Sequence, residues 1–146
     1  MPAKEARDVI NNLAFVKNHG VEIFEVVDGI THVRMPYQQQ YSTLPAMFPT
    51  AMVGLVGDVA AIGACFAALP AGYACATLDY TVKNTGLAEG DELYAEGKVL
   101  MTGKTITVGS ADVYVRTGNQ RRHCGTVLAT GRVYQARDKR PASDKG

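Results

Sequence analysis

From Met35 through Leu78 the chain runs for 44 residues with one ionisable Asp, Glu, Lys, Arg or His, and that residue is Asp58. A stretch this apolar has to become the centre of whatever the chain folds into. Pro45 and Pro49 punctuate the loop "QQQYSTLPAMFP", and Pro49 suits the entry of a helix. The spacing predicts that this helix runs to about Leu69 and stops at "PAG". It is apolar around its whole circumference, so it must be covered on every side. Gly54, Gly57 and Gly63 lower its helix propensity, which predicts that they let another backbone come close. Val59 to Leu78 is also 20 uncharged residues, the length of a membrane span. Pro70 and Gly72 break it, and its many Ala and Gly residues gain little in lipid. It reads instead as a buried helix, a turn and a strand, with no membrane.

On either side of this segment the pattern is ordinary. Val9, Ile10, Leu13 and Val16 share one stripe, which predicts a helix over 3–18 ending at Gly20. "VEIFEVVDGITHVRMPY" reads as two strands joined at Asp28-Gly29. After the long helix come four β-like segments, beginning "GYACATLDYTVKN", "DELYAEGKVLM", "KTITVGSADVYVR" and "HCGTVLATGRVYQ". In the first, Ala74, Ala76, Leu78, Tyr80 and Val82 alternate with Cys75, Thr77, Asp79, Thr81 and Lys83. Short turns between the four predict an antiparallel meander. The expected organisation is one domain over 1–137, α+β, an antiparallel sheet wrapped around a long central helix. A polar, disordered tail follows over 138–146. A sheet covers only one side of the helix, so a second copy is expected to cover the rest, as a homodimer or homotetramer.

The totals narrow the function. At 146 residues with a formal charge of +1, the chain gives no reason to expect nucleic acid as a partner. Cys65, Cys75 and Cys124 are odd in number and far apart, which fits a reducing, cytoplasmic setting. His19, His32 and His123 stand at no metal-ligand spacing, so neither a metal nor a cofactor is expected. "TGKT" at 102–105 lacks the glycine spacing of a phosphate loop, since the upstream glycine falls at 97.

Asp58 lies about two turns inside the helix, where Asp is a poor residue and an unpaired buried carboxylate is expensive. Its helical neighbours Gly54, Leu55, Ala61 and Ile62 cannot pair with it. Either a strand or a partner chain bonds it, or it acts chemically. A lone carboxylate can serve as general base on water or as nucleophile on an activated acyl group. A thioester suits it, because the thiolate leaves with little protonation. The helix start at Thr50, Ala51 and Met52 offers free N–H groups able to hold an oxyanion. Cys65, with no basic neighbour, reads as a small core residue.

The order of elements and the mid-helix Asp resemble the hotdog-fold thioesterases, most of all the phenylacetate-degradation (PaaI-like) acyl-CoA thioesterase branch. "GLVGDVAAIGACFAAL" resembles that family's central helix, "ATLDYTV" its first long strand, "GDELYAEGKVLMTGKTITVGSADVYV" the hairpin that follows, and "TVLATGRVY" its last strand. The similarity covers roughly residues 8–135. It implies a hotdog fold, with Asp58 in the place of the catalytic acid. Where the family carries His-Gly-Gly, this chain has Pro49, Thr50 and Ala51. The resemblance gives the oxyanion N–H to Ala51, with Thr50 beside the substrate. A common upstream Asn has no counterpart near Thr43 and Leu44. Asn84, Thr85, Gly86 and Leu87 replace the family's Tyr-Leu-Arg-Pro. Tyr41, in "YQQQY", and Phe48 are candidates for an acyl pocket. Lys83 and Lys104, with Arg121 and Arg122, are candidates for coenzyme A phosphates.

The function expected is hydrolysis of a small or medium acyl-CoA thioester, with Asp58 as base or nucleophile. The alternatives are a non-catalytic hotdog module that binds acyl thioesters and, less favoured, a hydratase or dehydratase.

Overall fold

The computed structural model describes residues 2–136. The tail expected over 138–146, and residue 137 with it, lies outside the described residues. Two short N-terminal helices, α1 (Ala3–Asn11) and α2 (Ala14–Asn18), precede the hairpin β1 (Glu22–Val27) and β2 (Ile30–Pro36). The long helix α3 (Thr50–Ala67) follows, then β3 (Tyr73–Asn84), β4 (Glu92–Thr102), β5 (Ile106–Thr117) and β6 (Gln120–Gln135). The six strands form one antiparallel sheet in the order β1-β2-β4-β5-β6-β3. The sheet curls around α3, giving the α+β arrangement expected.

Asp28 and Gly29 carry φ values of 51° and 76°, the two left-handed positions that a tight hairpin turn of this twist requires. The predicted helix over 3–18 is two helices. Asn12 ends the first by returning its side-chain amide to the Asp8 carbonyl at 2.7 Å. Asn11 clasps the backbone of Ile23 from both sides, donating to its carbonyl and accepting from its N–H, each at 2.8 Å. Side-chain competition of this kind is why Asn punctuates helices.

The predicted meander holds for β4, β5 and β6 but not for β3, which pairs with β6 at the far edge. Residues 85–91 connect β3 to β4. Seven extended residues reach about 23 Å, and three strand spacings need only about 14 Å. A short connection therefore does not force neighbouring strands to pair.

β3 also departs from simple alternation. The ladder shifts between Thr77 and Asp79, leaving Leu78 as a bulge. Before it, Cys75 and Thr77 reach α3, at the Ile62 carbonyl and the Asp58 carboxylate. After it, Tyr80 and Val82 face Gly54. The inward set thus changes parity at Leu78, which keeps Asp79 off the helix-facing side.

α3 is long and apolar enough to cross a membrane, but it is the core helix, 61% buried within one copy. The expected close backbone approach is real, though it comes from strand glycines. A Cβ on Gly97 would fall inside the Ala60 carbonyl, and one on Gly109 would stand 2.6 Å from the Ala61 oxygen. Gly54, Gly57 and Gly63 instead make room for the side chains of Tyr80, Val127 and Ile23. Met52, Leu55, Asp58 and Ile62 remain half-buried along one stripe, which β3 meets at Asp58 and Ile62. Gly97→Ala is expected to destabilise the fold by about 3 kcal/mol, the upper range for overpacking a tight core. Urea denaturation checks this, and an unchanged midpoint would refute the close approach.

Candidate active site

Asp58 sits on the half-buried stripe of α3, and Thr77 of β3 is its only hydrogen-bond partner among the described residues. The Thr77 hydroxyl donates to one carboxylate oxygen at 2.9 Å. The Leu78 bulge lets Thr77 face the helix on the same strand as Tyr80 and Val82. Burial raises the Asp58 carboxyl above the usual carboxylate range, and the Thr77 hydroxyl draws it partly back. No cation contributes to that balance.

Asp58 and Thr77 open onto a cavity of about 350 Å³. Its other walls are almost wholly apolar. Ile62 and Phe66 come from α3, Val9 and Ile10 from α1, Leu13 and Phe15 from the α1–α2 junction and α2. Cys75 also lines it, but its thiol is pushed up to about 12, first by burial, then by the nearby Cys65 and Asp58. It therefore stays a neutral thiol. Cys65 is fully buried and its thiol is likewise raised by burial. Among the described residues no histidine lines this cavity, and no three His, Cys, Asp or Glu side chains gather as a metal site.

At the start of α3 the N-cap is Pro49, and no side chain caps the helix. The Met52 and Val53 N–H groups both bond to the Pro49 carbonyl. Those of Thr50 and Ala51 precede the first intrahelical bond, so they have no acceptor within the helix. Ala51 is exposed. Thr50 accepts a bond from Asn84 at 3.2 Å and shares a shallow cleft with Phe48. Ala51 precedes Asp58 by seven residues, which is about 10 Å along the axis.

Other expected residues lie apart. Tyr41 stacks on His19 at 5.1 Å, and its hydroxyl donates to the Asn18 carbonyl. Phe48 packs edge-on against Tyr37 and is 5% exposed. Neither borders the Asp58 cavity. Lys83 stands at the end of β3, and Lys104 in the β4–β5 turn beside Val133, opposite Cys75. Eight strand residues separate the two places, about 26 Å, so one chain does not bring them together. Arg121 is bonded to Glu96 at 2.9 Å, and Arg122 to the Leu87 carbonyl. Thr77 and the N-terminal wall of the cavity were not foreseen. No single alternation signals Thr77, because the bulge at Leu78 gives the two halves of β3 opposite inward parity.

Comparison with solved structures decides the fold. A thioesterase family protein from Silicibacter pomeroyi superposes with a TM-score of 0.85 over 92% of this chain and 98% of its own, at 24% identity. A thioesterase from Haemophilus influenzae gives 0.79 over 97% and 96%, at 16% identity.

The chain has the hotdog fold.

A phenylacetic acid degradation-related protein from Ralstonia eutropha shares this hotdog arrangement, with a TM-score of 0.73, 16% identity, and 87% and 98% of the two chains covered. No family model matches the sequence, and no curated protein does. What these identities carry is the hotdog architecture, with α3 as its central helix.

The raised Asp58 carboxyl has a consequence for stability. Burial favours its neutral form, so the folded state holds that proton more tightly than the unfolded chain. Below the unfolded value, about pH 4, both states are protonated and no penalty arises. As pH rises from there through the folded value, the penalty grows. Asp58→Asn is expected to melt higher than the wild type at neutral pH, and the advantage should vanish below about pH 4. Thermal melts across that range check the sign.

Proposed function

We propose that this protein hydrolyses acyl thioesters, with coenzyme A as the carrier and Asp58 as the reacting carboxylate. The observation that carries the reading is a desolvated carboxylate with one oxygen held by Thr77, at the end of an apolar cavity. A raised carboxyl is a stronger base at neutral pH than an ordinary one. Asp58 takes a proton from water while the water oxygen bonds to the thioester carbon, and the carbonyl electrons move to oxygen. Collapse of that oxyanion breaks the carbon–sulfur bond and releases thiolate and acid. In the covalent variant the Asp58 oxygen itself attacks, and water then cleaves the mixed anhydride.

The oxyanion needs N–H donors, and the open amides of Ala51 and Thr50 supply them. About 10 Å of helix separates them from Asp58 of the same chain, too far for one carbonyl group to use both. A second copy resolves this. Among the described residues no strand pairs with the outer edge of β3, where Leu78 is 57% exposed, and such edges pair with other chains. The half-buried stripe of Met52, Leu55 and Ile62 likewise calls for a cover. In the dimer, Asp58 of one copy works with the helix start of the other. Thr50 and Phe48 border the substrate there, and Lys83 or Lys104 meets coenzyme A phosphates. Tyr41 is not needed. Three free cysteines agree with a reducing cytoplasm.

Asp58→Asn is expected to lower kcat about a thousandfold on acyl-CoA substrates, read by thiol release, while retaining the wild-type oligomer. Full activity in the variant would end the assignment, and binding of acyl-CoA without turnover by the wild type would favour a binding module. Sedimentation of the active protein should give a dimer or a multiple of it, and an active monomer would overturn the shared site. Turnover in water enriched in heavy oxygen separates the two routes: label entering the Asp58 carboxylate marks the covalent one.

A further inference from the structure

His123 lies away from the Asp58 cavity, yet its ring is bonded at both nitrogens. Nε2 stands 3.0 Å from the Asp112 carboxylate of β5, and Nδ1 stands 2.5 Å from the Thr85 hydroxyl. The His123 hydrogen bond holds the Asp112 carboxyl below the usual carboxylate range. Asp112 therefore only accepts, and Nε2 carries a hydrogen. In the neutral ring, Nδ1 is left to accept from Thr85, the first residue of the connection 85–91. In the protonated ring, Nδ1–H donates to the same oxygen, so the tie holds in both states. Two more bonds fasten this connection to β6. The Thr85 N–H donates to the Cys124 carbonyl at 3.0 Å, and Arg122 donates to the Leu87 carbonyl at 3.1 Å.

The same connection carries the segment that leads into α3. The Phe48 N–H donates to the Ala88 carbonyl at 2.8 Å, and the Gly90 N–H to the Ala46 carbonyl at 2.9 Å. Asn84, the residue before Thr85, donates to the Thr50 hydroxyl oxygen at 3.2 Å. No side chain caps α3, so these bonds from outside the helix fix where its first turn lies. We infer that His123, acting through Thr85, is a positioning residue for the start of α3, and so for the Thr50 and Ala51 amides to which the oxyanion is assigned. This rests on the thioester reading. Backbone amides are only as well placed as the chain that carries them. A displacement of about 1 Å in such a group can cost about a hundredfold in rate. The path runs from Asp112 and His123 on the sheet, through Thr85 and the connection, to Phe48 and Thr50. Every step in it is a hydrogen bond or a few residues of continuous chain.

The test uses the full chain with acyl-CoA substrates. Thr85→Val removes the hydroxyl and nearly keeps the shape. It is expected to lower kcat about tenfold with KM unchanged, the pattern of a lost transition-state contact. Thr85→Ser should restore the rate. At His123 two amide side chains separate positioning from support of Asp112. Asn places its polar group near Nδ1 and keeps the Thr85 tie, whereas Gln places it near Nε2 and keeps only the Asp112 bond. His123→Asn should turn over like the wild type, and His123→Gln should fall as far as Thr85→Val. An unchanged kcat in Thr85→Val, a change confined to KM, or the reverse order of the two His123 variants would overturn the inference while leaving hydrolysis standing. If the wild type cleaves no acyl-CoA, the hydrolase reading falls, and amide exchange decides the inference alone. The Phe48 N–H should then exchange roughly tenfold faster in Thr85→Val than in the wild type or Thr85→Ser, while β5 keeps its wild-type rates. Unchanged exchange at Phe48, or equal acceleration in β5, would overturn it.

Discussion

The backbone of Gly97 and Gly109 lies directly against the carbonyls of Ala60 and Ala61, and the rest of the molecule depends on this approach. Where two strands touch a helix without a layer of side chains between them, the helix sinks into the sheet. Neighbouring strands then curl far enough to reach it as well, and Val56, Ala60 and Cys65 become fully buried. So close a packing leaves no space for ions or for large polar groups. α3 carries no charge but Asp58 for that reason, and Asp58 falls on the half-buried stripe of the helix, where β3 meets it through Thr77.

Asp58 differs from Asp112 and Glu96 in what surrounds it. On the outer face of the sheet, the His123 hydrogen bond holds Asp112 below the usual carboxylate range, although burial opposes it. Burial pushes Glu96 up, but Arg121 and Tyr94 bring it below that range. Asp58 has a hydroxyl and no cation, so its shift goes the other way. At Asp112 and Glu96 a partner side chain offsets burial. At Asp58, where a cavity meets the helix, the single hydroxyl does not.

Much of this was legible from the amino-acid pattern. The charge-free run located the central helix, Asp28-Gly29 located the first turn, and the isolation of Asp58 marked the site. What stayed hidden came from geometry that composition does not encode. Pairing of β3 with β6 rather than β4 depends on how far seven residues can reach. Thr77 faces the helix with Cys75, and Tyr80 and Val82 face it on the other parity, because the unpaired Leu78 stands between the two sets. The division between α1 and α2 depends on two asparagines bonding to backbone instead of continuing the helix. Tyr41 and Phe48 drew attention because they are aromatic and precede the helix, yet the apolar wall beside Asp58 comes from the other end of the chain.

Asn11 ties α1 to β1 through the two backbone bonds of Ile23, at the sheet edge opposite β3. Val9, Ile10 and Leu13, the residues on either side of this tie, form the N-terminal wall of the cavity. Ala6 and Val16, further out on each side, are sunk into the core. The wall is therefore held from both ends, and its shape is set by the same packing that holds β1 to the helix.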